Sequence, residues 1–316
     1  MPAQPDLEQR VVRRYRNALR PAAENLPSDL SSFMPGAGGS TYEEDKSWAA
    51  GALHKQRVPR SRILHASMQH CSHKMANVVD HLAAIASVLE LDPLRPYSPT
   101  SLARVAVEAA TGLRYLLDTS VDPEERFLRA AALLMESFHY EVKATRELPV
   151  DRYPGVADGV EERLAKLVEQ VTRSGLDVKV QPVSRQPSGI RWTTTASYRS
   201  VPPAKVTDLV RVTFADYPAL YQMGSGVAHS MSWMLDDNAR LPEDGGEAVV
   251  YAGDAYTTGA AVISAIASAE VVLSAFGRYM GHDPEPKLVL YRRRREAMDT
   301  FMNGYAASRM RSVGRL

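Results

Sequence analysis

The residues best spaced for chemistry recur every four positions around the stretch YQMGSGVAHSMSWML. At about 100° per residue, Tyr217, Tyr221, Ser225, His229 and Trp233 fall on one slowly drifting helical stripe. A second polar stripe, Arg104, Glu108, Thr111 and Tyr115, lies beside the apolar residues Leu102, Val105, Ala109, Leu113 and Leu116. Gly224, Gly226 and Ala228 would let these two helices approach closely. A lone buried carboxylate or imidazole is costly, so Glu108 and His229 are expected to pair across the helices, with Ser225 completing a buried polar network. Ser225 and His229 are also the residue types of a nucleophile and its base. No GxSxG elbow accompanies them, and groups aligned along one helix do not reach triad geometry.

His70-Cys-Ser-His73 offers a metal an imidazole pair one turn apart, on a helix that also carries His65 and His81. An HxxH pair with neither HExxH nor ExxH is a weak motif, and no metal or other cofactor is expected. Asp236-Asp237-Asn238 lacks the further acid that an aspartate-rich magnesium motif needs, because Arg240 stands in its place. No Walker loop or GxGxxG is present. Four consecutive arginines, Arg292 to Arg295, point four ways on a helix and cannot line a single phosphate track.

These side chains must be positioned by helices. Apolar periodicity predicts helices over Asp6–Arg20, Pro59–Leu91, Pro99–Leu117, Asp122–Leu148, Ala157–Ser174, Pro203–Val212, Tyr217–Leu235, Ala255–Met280 and from Pro286 onward. Ser98 or Thr100 and Asp122 are the N-caps of two of them, and Gly175 is a stop signal. Leu176–Ser200 loses the helical period and reads as a long loop or small hairpin. Pro21–Gly51 is rich in Pro, Gly and Ser, which marks a linker. The expected architecture is all-α, a bundle of about eight or nine helices. Residues 1–55 would form an N-terminal helix with a flexible linker, and 56–316 the bundle.

Composition bounds the function. With 45% hydrophobic and 24% charged residues the 316-residue chain is ordinary for a globular protein, and a net charge of +1 argues against a double-stranded DNA coat. Cys71 is the single cysteine, which excludes an internal disulfide and fits a reducing compartment. The N-terminal residues lack the apolar core of a signal peptide, so a cytoplasmic protein is expected. Gly259–Gly277 is long enough to span a membrane, but it carries Glu270 and is dominated by alanine and serine. A buried helix packed through small residues is expected there, with no membrane partner.

Two stretches carry a resemblance. SLARVAVEAATGLRYLLDTSVDPEERFLRA, followed about a hundred residues later by YQMGSGVAHSMSWML, resembles a widespread group of helical proteins of high-GC bacteria. In that group an R-x-x-x-E helix precedes an ER-containing helix and a Y-x-x-x-S-x-x-x-H helix. The matching positions here are Arg104, Glu108, Arg126, Tyr221, Ser225 and His229. The group is in turn reminiscent of the HEPN superfamily, helical bundles that include metal-independent ribonucleases of toxin and antiviral systems, often built as dimers around R-x4-H. The literal R-x4-H of this chain is Arg60-Ser-Arg-Ile-Leu-His65, and Gly224 stands where the Tyr221 helix would need the arginine. The resemblance implies His229 as general base or acid, Glu108 orienting it, and Arg104 or Arg126 on a phosphate. Tyr221 and Trp233 complete the candidate binding residues.

Two functions follow. The first is a non-catalytic helical interaction protein, with a protein partner or a second copy of itself, in which Glu108, Ser225 and His229 fix helix register. The alternative is a HEPN-like RNA-binding protein or metal-independent ribonuclease in a toxin or phage-defence setting.

Overall fold

In a computed structural model of the protein the described residues are 5–182, 187–201, 204–217, 219–235, 239–240, 250–251 and 253–313; the side chains of 5–8, 220, 233, 239–240, 250–251 and 306–313 lie outside the description. The chain is 72% helical. At its centre is α10 (Ala255–Tyr279), buried on nearly every side. A helix that is apolar all round has to be enclosed, and 78% of its most apolar stretch is. The Ser264 and Ser268 hydroxyls donate back to the carbonyls of Ala260 and Ser264, so the buried serines leave no orphan donors. Around α10 stand α1 (Pro5–Ser31), α3 (His54–Val88), α4 (Ser98–Leu116) and α11 (Glu285–Val313).

A second, smaller core joins α5 (Pro123–Arg146) and α6 (Val156–Arg173) to a three-stranded antiparallel sheet. Its strands are β1 (Leu176–Val180), β2 (Pro187–Trp192) and β3 (Arg199–Ser200), in the order β1-β2-β3 with Leu176 opposite Trp192 and Val178 opposite Ile190. The expected loop at Leu176–Ser200 is thus a hairpin with an added strand. Buried Leu176 and Ile190 anchor it on Phe127, Met135 and Val171, while Trp192 stacks on Phe127 with ring centroids 5.9 Å apart.

The division at residue 55 does not hold. Tyr15, Leu19, Ala22 and Leu26 are fully buried in the main core, so α1 belongs to the bundle. It continues past Arg20 through Pro21 and Pro27, because burial of Leu26, Leu30 and Phe33 against the bundle outweighs the helix-breaking cost of proline. The predicted linker holds α2 (Thr41–Gly51), opened by Ser40, whose hydroxyl accepts from the Glu43 amide. Buried Asp45 on α2 meets Arg126 on α5 at 2.8 Å, and the Tyr279 hydroxyl donates to the same carboxylate. The remaining helices are α7 (Val206–Thr213), α8 (Leu220–Ala228) and the four-residue α9 (Ser232–Leu235), with a short β4–β5 pair at Ala239–Arg240 and Val250–Tyr251.

Candidate functional site

The two predicted stripes do meet. On α8, a Cβ at Gly224 would come 2.7 Å from the Cβ of Arg104, so the glycine is what lets α8 lie against α4. Arg104 then reaches over the Tyr221 ring, 5.3 Å from its centroid, and donates from Nε to Glu108 at 2.9 Å. Arg104, Glu108 and Tyr221 form one contact group.

His229 is not part of it. The single helix expected over Tyr217–Leu235 stops at Ala228 and restarts as α9. Ser230 adopts a left-handed backbone with φ of 54°, and the amides of Ser230 and Met231 bond to the carbonyls of Val227 and Gly226, a Schellman-type stop. His229 caps the helix and is exposed, with no side-chain hydrogen bond among the described residues, while Ser225 is half-buried. The buried Glu108–Ser225–His229 network is therefore absent. Glu108 faces an arginine on its own helix instead. The side chain of Trp233, and Asp236 to Asn238, lie outside the described residues.

Nor are the other candidate phosphate ligands free. Arg126 is buried and fully engaged, by Asp45 through Nε and Nη2, by Glu44 at 2.8 Å, and by the carbonyl of Val121. Arg60 lies 4.2 Å from the centroid of the Trp48 ring and donates to the Ser174 carbonyl at 3.0 Å, whereas His65 is exposed. The R-x4-H pair is thus an aromatic-clamped arginine and a surface histidine. In the arginine run, Arg292 pairs with Glu285 at 2.6 Å and Arg295 with Glu270 at 2.7 Å.

The other side of Glu108 opens on a cleft of about 490 Å³ between α3, α4 and α5, with Ala204 and the α7 residues Val206 and Leu209 also lining it. Here α3 contributes His70, His73 and Lys74, α4 contributes Glu108 and Thr111, and α5 contributes Glu136. His70 and Lys74 stand one helical turn apart on one face. Lys74 lies flat across α4 where Gly112 leaves room, its Nζ 2.8 Å from where a glycine Cβ would be. Burial pushes its ammonium below the ordinary lysine range, against the attraction of Cys71, Glu136 and Glu108. Burial also drives the His70 imidazole down to about 4, with the Lys74 charge adding to the effect. On the facing helix, burial raises the Glu136 carboxyl, only partly offset by Lys74. Each group is pushed toward its neutral form. The Thr111 hydroxyl, in the same wall, is buried and has no hydrogen-bond partner among the described residues.

Sequence reasoning singled out Glu108, Thr111 and the His70–His73 pair but did not connect them, and it missed Lys74 and Glu136. The available signal was charge at positions 74 and 136 on faces otherwise built for the interior. Among the described residues no group of three or more His, Cys, Asp or Glu side chains is placed to hold a metal ion. No family model, curated protein or solved structure matches the chain.

Proposed function

We propose that this protein works by binding rather than by cleaving RNA, and that its ligand is a small polar molecule held in the α3–α4–α5 cleft. One observation carries the reading: Lys74, Glu136 and Thr111 face one cavity, and none of them has a hydrogen bond or ion pair among the described residues. A buried polar group is normally satisfied, and leaving the Thr111 hydroxyl unpaired costs about 1 to 3 kcal/mol, while half-buried Lys74 and Glu136 face the cavity without a partner among the described residues. A ligand that supplies the missing partners recovers that cost on binding. The ribonuclease alternative needs a histidine, an orienting carboxylate and a phosphate-binding arginine in one place. Exposed His229, Arg104-bound Glu108 and Asp45-bound Arg126 are not so placed.

The test is a thermal-shift screen of small polar metabolites against the wild type and Leu133→Trp, a substitution that fills the cleft wall. A specific ligand raises the melting temperature of the wild type in proportion to its occupancy and leaves the variant unmoved. Ligands that shift both alike, or His229-dependent cleavage of single-stranded RNA, would overturn the proposal.

A further inference from the structure

We propose that the cleft binds its ligand covalently and reversibly: Lys74 Nζ condenses with the carbonyl of a small aldehyde or ketone, and Glu136 passes the protons. This rests on the reading of the cleft as the binding site and names the class of ligand and the atom that captures it.

The position of Lys74 is the first ground. A lysine on a helix ordinarily extends its stem along apolar surface and delivers the ammonium to water. Lys74 instead folds across Gly112 into the cavity, and Cδ, Cε and Nζ all lie within 3.5 Å of the glycine's absent Cβ. The second ground is what surrounds it. The nearest carboxylates, Glu108 and Glu136, attract it electrostatically but neither comes within ion-pair distance, and Glu108 is already held by Arg104 at 2.9 Å. The cleft it enters mixes apolar Val105, Ala109 and Leu133 with polar His70, Asn77 and Thr111. The third ground is its contrast with the other lysines of the chain, eight in all. Lys287 is half-buried but paired with Asp29 at 2.9 Å, and the remaining six are exposed. A partly desolvated amine without a carboxylate on it frees its lone pair at a lower pH than an exposed lysine does.

The cluster also supplies the proton transfers. The lone pair of Nζ adds to the carbonyl carbon, a C–N bond forms, the carbonyl oxygen takes a proton from the Glu136 carboxyl, and the nitrogen returns one to the Glu136 carboxylate, which gives a neutral carbinolamine. The hydroxyl then leaves as water with a proton from the Glu136 carboxyl, C=N forms, and the second nitrogen proton passes back to the Glu136 carboxylate. The sum is amine plus carbonyl giving imine plus water, with no redox change and Glu136 returned to its starting state. Burial holds Glu136 toward the protonated form that this step uses. The Thr111 hydroxyl, buried and without a partner among the described residues, belongs to the same wall. The titratable groups that face Lys74 are His70, Cys71 and His73 from α3, Glu108 from α4, and Glu136 and Tyr140 from α5.

The experiment is reductive trapping. The full-length protein is mixed at pH 7 with limiting propionaldehyde and cyanoborohydride, which reduces imines but not the aldehyde, and labelled lysines are counted by peptide mass spectrometry. Lys74 should be modified at least tenfold faster than Lys55 or Lys143. The pH dependence of its labelling should have a midpoint below theirs. Glu136→Gln should slow Lys74 labelling severalfold at unchanged circular dichroism, and Leu133→Trp should block it. Labelling of Lys74 no faster than the exposed lysines, or a rate indifferent to Glu136, would overturn the imine. If Lys74 stays unlabelled while a metabolite still stabilises the wild type and not Leu133→Trp, the covalent step falls and the binding cleft stands. Fast Lys74 labelling with no such metabolite would leave the capture chemistry standing and the binding reading in need of a carbonyl-containing library.

Discussion

Arg104 and Glu108 meet at 2.9 Å one turn apart on α4, and that contact occupies the carboxylate which the polar stripes offered to His229. The pair is about a third exposed at Glu108 and a fifth at Arg104, an ordinary partly solvated helix pair. Such pairs contribute a few tenths of a kcal/mol, at most about 1. Glu108→Ala should therefore lower unfolding free energy by no more than about 1 kcal/mol in a urea titration. A loss of about 3 kcal/mol would mean that Glu108 neutralises a buried partner after all.

Asp45 with Arg126 is the opposite case. Both side chains are almost wholly buried, and the arginine engages the carboxylate through two nitrogens while Tyr279 donates to it at 2.8 Å. Asp45→Ala strands a guanidinium inside the protein, with only exposed Glu44 and backbone carbonyls left to it. The expected cost is about 3 to 5 kcal/mol. Urea midpoints measured at constant slope check it, and a loss below about 1 kcal/mol would show that water reaches the arginine.

What the sequence made legible followed from local rules. The Asp122-Pro123 opening of α5, whose aspartate accepts from the Glu125 amide, and the stop at Gly175, with φ of 104°, are set by a few adjacent residues. The approach of α8 to Arg104 was legible too, because Gly224 is a small residue on a polar stripe. Tertiary packing decided what was not legible. Pro21 and Pro27 look like breakers until Leu26 and Phe33 are seen to be buried, and the Schellman stop at Ser230 has no glycine to announce it. The Lys74–Glu136 cleft belongs to three helices at once, and no spacing along one chain segment encodes it.

Gly259 marks where α1, α10 and α11 converge. A Cβ there would stand 2.5 Å from the Tyr15 hydroxyl, which donates to the Ala255 carbonyl at 2.7 Å, and would also run into Met302. Gly259→Ala should cost about 1 to 3 kcal/mol by overpacking, with loss of the Tyr15 bond. Gly159 in α6 has nothing within 4 Å of its absent Cβ, so Gly159→Ala should stabilise by about 0.5 to 1 kcal/mol through helix propensity alone. Melting curves of the two variants should move in opposite directions. Parallel shifts would contradict the close three-helix approach.

The last prediction concerns acid stability and follows from His70. Its imidazole titrates at about 4 in the folded protein against an ordinary 6.5, because burial and then the charges of Lys74 and His73 disfavour the proton. Between those two values the unfolded chain binds a proton that the folded chain refuses, so acid favours unfolding there. The stability tied to neutral His70 is complete above pH 6.5, falls as the pH drops from 6.5 toward 4, and changes no further below 4. Glu136 acts in the reverse sense. Its folded carboxyl is raised above 4.5, so its contribution is full below that value and is lost as the pH rises through the folded pKa. The two act in opposite senses as the pH falls, and removing one exposes the other. Comparing wild type with His70→Gln isolates the histidine: relative to the variant, the wild type should lose on the order of 1 to 2 kcal/mol between pH 7.5 and 5, after a discount for the part of the ring that water reaches. Urea titrations at the two pH values measure it. If the difference between the two proteins is the same at pH 7.5 and pH 5, His70 is solvated rather than enclosed, and the cleft wall it forms with Lys74 is open to bulk water.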